Sequence, residues 1–256
     1  MTKTVILKTS GLRPFTMVFL VCAGLFPAMP TVFAQPTDPH ASRHQAMIQS
    51  ARSRVQSAGE KPTASQWIAL GDAQLRGGKS RQAVESFEKA LALDPSATPH
   101  LWQYGIALYF VGRYEDGRSL FEQHRRVNPN DVENAAWHFV CAAKETDVDQ
   151  ARKIVLPAPR DPRPPMQAVL ERLPGGEDAG IETAVKELKG SPQYDSAEFF
   201  GNLYLGLIAD AEGDLDRAVA RMKAAAATEM THYMADVARV YADDLTSRNQ
   251  GAKPER

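Results

Sequence analysis

The chain has 256 residues, of which 43% are hydrophobic and 24% charged, and its formal net charge at pH 7 is −1. This composition is that of an ordinary globular protein, because 17 glycines and 17 prolines are too few for a fibrous or wholly disordered chain. The near-neutral charge lacks the basic footprint of nucleic-acid-binding proteins, and two cysteines cannot build a disulfide framework. We therefore expect a globular protein without a nucleic-acid partner.

The N-terminal segment has the three-part layout of a secretory signal peptide. Three basic residues precede an apolar run, Phe15–Phe26, and Val32-Phe33-Ala34 fits a signal-peptidase site. A membrane-spanning helix needs about 20 apolar residues, so this shorter run favours a cleaved signal over an anchor. We expect cleavage after Ala34, export to the periplasm or the extracellular space, and no stable membrane insertion afterwards. Cys22 lacks the preceding small residue of a lipoprotein signal, so we expect it to be removed with the signal peptide. Cys141 is then the single cysteine of the mature chain.

A spacing of 34 residues recurs in the next part of the chain. It separates four pairs of like residues: Gly71 and Gly105, Gly78 and Gly112, Phe87 and Phe121, and Pro95 and Pro129. A repeated pair of helices explains each position. The first glycine lets two helices approach closely, the second closes the turn between them with a positive φ, and the proline stops the second helix.

The residues of each unit follow one pattern, which returns near the end of the chain. The pattern comprises Trp67, Leu70-Gly71, Ala83, Phe87, Ala90 and Pro95 in the first unit, Trp102, Tyr104-Gly105, Gly112, Tyr114, Phe121 and Pro129 in the second, and Leu205-Gly206, Gly213, Ala218, Met222 and Ala225 in the last. It resembles the tetratricopeptide repeat (TPR) family. The resemblance implies an all-α fold in which helix pairs stack into a right-handed superhelix.

A second resemblance covers most of the chain from Asn128 onward. It depends on Trp137-His138-Phe139, Asp147–Ala151, Asp161–Met166, Leu203–Gly206 and His232–Ala238. These features resemble a group of short TPR proteins of bacteria and plastids. More loosely, the last repeat and the helix after it are similar to periplasmic TPR lipoproteins that act as adaptors for cell-wall hydrolases. This likeness implies an adaptor role.

The pattern between the repeats is irregular. A degenerate third unit predicts a helix over Asn134–Lys144, and five prolines in 157–165 exclude regular helix there. Two short helices are predicted over Met166–Leu173 and Ile181–Lys189, and a last one over His232–Leu245. The predicted organisation is a signal peptide (1–34), a mobile leader with an N-terminal capping helix (35–63), two repeats (64–131), a degenerate repeat with a Pro-rich helical insertion (132–198), a repeat with a C-terminal capping helix (199–246) and a polar tail (247–256).

Motifs for catalysis or cofactor binding are not evident. The sequence has no phosphate-binding glycine loop, nucleophile elbow or His-Glu-x-x-His motif. His40 and His44 share a helical face, but without a third ligand they favour a polar leader over a metal site. His138 and Cys141 lie three residues apart among alanines, which favours a buried cysteine over a thiol nucleophile. We expect no catalytic residue, no cofactor and no metal.

A partner is expected on the inner face that the first helix of each repeat lines. Helical spacing places seven apolar side chains on this face: Trp102, Ile106, Tyr109, Phe110, Phe200, Leu203 and Leu207. They predict an apolar groove for a protein or peptide partner. Three alternatives stay open, in which the stripe is covered by the proline segment, by a terminal helix, or by a second subunit of a homodimer.

The sequence therefore predicts an exported, non-enzymatic adaptor or scaffold. One rival interpretation is an enzyme whose site lies in the irregular segment 156–191 and uses Arg163 with a histidine from a neighbouring helix, since fold alone does not determine activity. Another is a self-assembling structural protein.

Overall fold

The computed structural model describes residues 39–252, and this part of the chain is helical without any β-strand. The predicted all-α class is confirmed. The predicted signal peptide, the first residues of the leader and the last four residues of the tail lie outside the described residues. The helices are α1 (Pro39–Ser57), α2 (Ala64–Arg76), α3 (Ser80–Leu93), α4 (Trp102–Phe110), α5 (Tyr114–His124), α6 (Val132–Glu145), α7 (Val148–Lys153), α8 (Met166–Arg172), α9 (Asp178–Glu187), α10 (Tyr194–Ala211), α11 (Leu215–Ala226) and α12 (Tyr233–Ala252).

Three of these helix pairs, α2–α3, α4–α5 and α10–α11, are joined by short turns and pack closely. Their contact depends on glycine in the first helix. A Cβ atom at Gly105 would lie 2.6 Å from Cζ of Phe121, and one at Gly206 would lie 3.1 Å from Cε of Met222. Gly112 has a φ of 79° in the turn between α4 and α5, a conformation that other residues adopt only with strain. The predicted roles of these glycines are confirmed.

The segment between the repeats also follows the prediction. The helix expected at Asn134–Lys144 lies within α6, and the proline-rich residues 157–165 form no regular helix. The two short helices are α8 and α9, and α9 begins three residues before the predicted Ile181. However, α10 begins at Tyr194 and continues across the predicted boundary at 198/199, because its first turns pack on α8 and α9.

Both ends of the described chain are more ordered than the sequence predicts. The sequence predicts a mobile leader as far as about Ser42, but residues 39–42 form the start of α1. The predicted polar tail is helical as far as Ala252, since α12 does not end near residue 246. Arg248 explains this extension. Its guanidinium pairs with Asp210 at 2.9 Å and with Asp244 at 3.0 Å, so the last turns of α12 have contacts of their own.

The position of α12 decides how the core is closed. Tyr241 of α12 is fully buried, and its hydroxyl lies 2.7 Å from Asp210 of α10 and 2.5 Å from the hydroxyl of Tyr109 of α4. Its ring stacks on Trp137 of α6 with the centroids 6.0 Å apart. The same helix also packs on α2. One face of α12 therefore packs on α11 and covers side chains of α4, α6 and α10, which is the terminal-helix alternative named above.

Candidate functional site

The structure divides the seven predicted partner-binding residues into two groups. Four are buried in the main hydrophobic core: Ile106, Tyr109, Leu203 and Leu207. They do not line an open groove, and this corrects that part of the prediction. The physical reason is that α12 fills the apolar face to which Tyr109 contributes. The other three residues are half-buried: Trp102, Phe110 and Phe200.

Two of these half-buried residues meet in a cavity of about 310 Å³, named here the aromatic pocket. Its aromatic walls come from five helices and the residue before α12: Trp102 of α4, Phe121 of α5, Trp137 of α6, Phe200 of α10, Tyr233 of α12, and His232 just before it. Its polar lining comes from the beginning of α6: Asp131, Glu133 and Asn134. The sequence prediction brought together Trp102 and Phe200 correctly, although it placed them in a longer groove.

Contacts among the rings hold the walls of the aromatic pocket. The rings of Trp102 and Tyr233 meet edge to face with their centroids 4.8 Å apart. Phe200 lies between two partners, since it stacks on His232 at 5.8 Å and on Tyr204 at 6.3 Å. Such arrangements are among the preferred geometries of aromatic pairs. The pocket is therefore largely preformed.

One side of the pocket is acidic. The guanidinium of Arg163, in the proline-rich segment, pairs with Glu133, with Asp131 at 3.0 Å and with Asp161 at 2.6 Å. Glu133 also accepts a hydrogen bond of 2.7 Å from the hydroxyl of Tyr204. Burial raises the pKa of Glu133 and outweighs the lowering by Arg163 and Tyr204. Three carboxylates thus share one guanidinium.

Three pocket-lining residues, Asn134, Trp137 and Tyr233, each have a buried polar atom without a hydrogen-bond partner. The side-chain amide of Asn134 donates to the carbonyl of Phe121 at 3.0 Å, but its Oδ1 is unpartnered. The indole Nε1 of Trp137 also lacks an acceptor. Asn134 and Trp137 are at most 4% exposed. Leaving such a group unpaired costs about 1–3 kcal/mol.

A second polar centre ties together the two ends of the described chain. Asp236 of α12 is fully buried and pairs with Arg43, with His44 at 3.0 Å, with Arg76 at 2.8 Å and with Arg239 at 3.1 Å. The prediction of a polar leader at His44 is therefore wrong, because this imidazole is 8% exposed and packs against α12. Among residues 39–252, no group of three potential ligands is arranged to hold a metal ion.

The pair of His138 and Cys141 lies inside the core. Cys141 is fully buried, and burial raises the pKa of its thiol, so the apolar interpretation is confirmed. Arg163 of the rival enzyme hypothesis and the nearby His232 share a neighbour, the ring of Phe200. The guanidinium carbon lies 6.0 Å from the centroid of this ring, but no serine, threonine or cysteine lines the pocket.

Sequence patterns do not predict that the remaining residues of the pocket lie together. Trp137 and Tyr233 stand in motifs noted above, but they are almost 100 positions apart, and only the path of α12 brings them together. In the sequence, Glu133 and Asn134 are typical of the first turn of a helix, here α6. No local spacing connects any of them to Trp102.

Comparison with known protein families and with curated proteins finds no match to this sequence. Between Pro39 and Ala252, none of the helices combines the length and apolar character that crossing a membrane requires.

Proposed function

We propose that this protein is an exported, non-enzymatic adaptor of the TPR type, which holds a protein or peptide partner at the aromatic pocket. The 34-residue spacing and the closely packed helix pairs support the TPR assignment. The signal-like layout of the N-terminal sequence supports export. The proposal assigns no reaction to the protein.

The observation that carries this proposal is the convergence of half-buried rings from separate helices on one cavity. Trp102 and Phe200 lie about 100 residues apart in the sequence, yet both line the aromatic pocket. Aromatic side chains in well-packed pockets contribute most of the binding energy in many protein interfaces. Because packed helices hold these rings, little ordering entropy is lost when a partner binds.

The path of α12 refines where the partner binds. Tyr241 and its neighbours fill the face on which a groove was expected, whereas His232 and Tyr233 leave a cavity at the start of the same helix. The proposed contact is therefore a short segment or a single side chain at one end of α12. A long peptide lying along the helix pairs is not part of the proposal.

The test is capture of partners from cell-envelope extracts with the double variant Trp102→Ala, Phe200→Ala. The matched control is Trp67→Ala, which removes a half-buried tryptophan of the separate cluster beside α1, where the ring contacts Lys89 at 4.6 Å. We expect the double variant to lose partners that the wild type and the control retain, with thermal unfolding still cooperative in all three. Equal capture by the double variant would refute the pocket as the binding site.

A further inference from the structure

We infer that the aromatic pocket accepts the cationic side chain of a lysine or arginine presented by a peptide. This inference rests on the proposed function, since it names the chemistry of the partner segment that the pocket would hold. It follows from the charge, the walls and the size of the pocket.

The charge of the pocket favours a cation. Asp131 and Glu133 line it, and Asp161 lies beside them, so three carboxylates face the single guanidinium of Arg163. With histidine counted as neutral, this group carries a formal charge of −2. The two carboxylates that line the pocket are half-buried, which weakens solvent screening, so a positive group in the pocket gains more from them than from fully exposed charges. An anionic ligand would meet the same carboxylates with repulsion.

The walls favour a cation as well. Trp102, Trp137, Phe200 and Tyr233 surround the cavity with aromatic rings. Ammonium and guanidinium groups are attracted to the faces of such rings, most strongly to tryptophan. Within this chain, the guanidinium of Arg163 already lies over Phe200 at 6.0 Å, so this wall accepts a cation in the structure itself.

The size of the cavity favours a peptide side chain over a bare ion. The cavity of about 310 Å³ is at the lower end of the range for ligand pockets, which suits one side chain and its backbone.

The test uses the full chain labelled with ¹⁵N and three probes: the peptides acetyl-Gly-Lys-Gly-amide, acetyl-Gly-Arg-Gly-amide and acetyl-Gly-norleucine-Gly-amide. The chain has three tryptophans, and their indole N–H signals report on separate places. We expect the cationic peptides to shift the signals of Trp102 and Trp137, while the signal of Trp67 stays in place. We expect them to bind roughly tenfold more tightly than the norleucine peptide, which matches their side-chain length without the charge.

Variants test whether the carboxylates cause this preference. Glu133→Gln keeps the shape of the side chain and removes its charge, and we expect the cation preference to fall by roughly threefold or more. Asp131→Asn removes a charge on the same side and keeps a side chain suited to the N-cap of α6, so it serves if the first variant fails to fold. Glu182→Gln is the matched control, because Glu182 pairs with Arg221 outside the pocket, and it should keep the full preference.

The outcomes separate this inference from the proposed function. Equal affinity for the norleucine peptide would overturn the cation assignment, and so would no shift of Trp102 and Trp137 with any peptide. In both cases the envelope capture by the Trp102→Ala, Phe200→Ala variant would still decide the adaptor proposal independently. An unchanged preference in both Glu133→Gln and Asp131→Asn would also overturn the assignment.

Discussion

Replacing Asp210 with asparagine tests the idea that a buried carboxylate anchors α12 against the other helices. Asp210 is 2% exposed and receives hydrogen bonds from Tyr109 and Tyr241, both at 2.7 Å. It also pairs with Lys144 at 3.0 Å and with Arg248 at 2.9 Å. The substitution keeps the side-chain volume, but an amide cannot accept all these hydrogen bonds and brings no charge.

The expected magnitude follows from the pKa of Asp210 and from the cations left behind. Burial raises this pKa. Hydrogen bonds from Arg248 and the charge of Lys144 have a larger effect in the opposite direction, so the pKa is lowered from an ordinary value of 3.8 to about 2. A lowering of nearly two pKa units corresponds to about 2 kcal/mol of stability at neutral pH. Removing one partner of a buried ion pair costs about 3–5 kcal/mol, and since Arg248 keeps Asp244 as a partner, we expect about 3 kcal/mol.

Urea unfolding at pH 7, followed by circular dichroism, measures this loss. With m values of about 1–3 kcal/mol/M, the midpoint of Asp210→Asn should fall by roughly 1–3 M at an unchanged m value. The stability from Asp210 is complete above its unfolded pKa of 3.8 and disappears as the pH falls towards 2. The difference in free energy of unfolding between wild type and variant should therefore be about 1 kcal/mol smaller at pH 3 than at pH 7.

The matched control is Asp149→Asn, which removes a side chain that is 76% exposed and pairs with Arg152 within one helical turn. It should change the midpoint little, because exposed ion pairs contribute little stability. A loss below about 1 kcal/mol for Asp210→Asn, or a gap of the same size at pH 3 and pH 7, would contradict the anchoring role.

Two further predictions concern the close packing within the helix pairs and the contact of His44 in α1 with Asp236 in α12. Gly105→Ala should lower the free energy of unfolding by about 1–3 kcal/mol, because its Cβ would lie 2.6 Å from the ring of Phe121. Gly180→Ala, with nothing within 4 Å of its Cβ, should be neutral or stabilising. Thermal unfolding of both variants measures the difference. Burial lowers the pKa of His44 below its ordinary 6.5, despite the opposing effect of Asp236, so stability should fall as the pH drops from 7 to 5. His44→Gln should lose less stability over this interval in urea titrations, and an identical pH dependence would contradict the assigned burial.

The local elements of this protein follow from its sequence because local rules specify them. Gly105 and Phe121 predict a close helix pair by their spacing, and Gly112 predicts the turn by its conformational freedom. The five prolines of 157–165 exclude helix by their geometry. The burial of Cys141 follows from its alanine-rich surroundings. Each of these inferences uses residues within a few turns of one another.

The candidate pocket could be predicted only in part. Helical spacing placed Trp102 and Phe200 on the matching faces of the second and the last unit, and the structure brings them into one cavity. The same spacing also selected Ile106 and Leu207, which are buried. A periodic apolar stripe identifies the side of a helix that avoids water, but it does not say whether a partner or another part of the chain covers that side.

The path of α12 could not be predicted from the sequence. This helix has polar residues along much of its length, so its sequence suggested a cap followed by a tail. Its anchors are single buried side chains, Tyr241 against Asp210 and Asp236 against Arg76, in pairs separated by 31 and 160 residues. Periodicity reports a helix's own amphipathic character, whereas such long-range pairs depend on where the whole chain brings the partners. The sequence alone therefore specified the helices and their pairing, and the assembled core determined which part of the apolar face remained open.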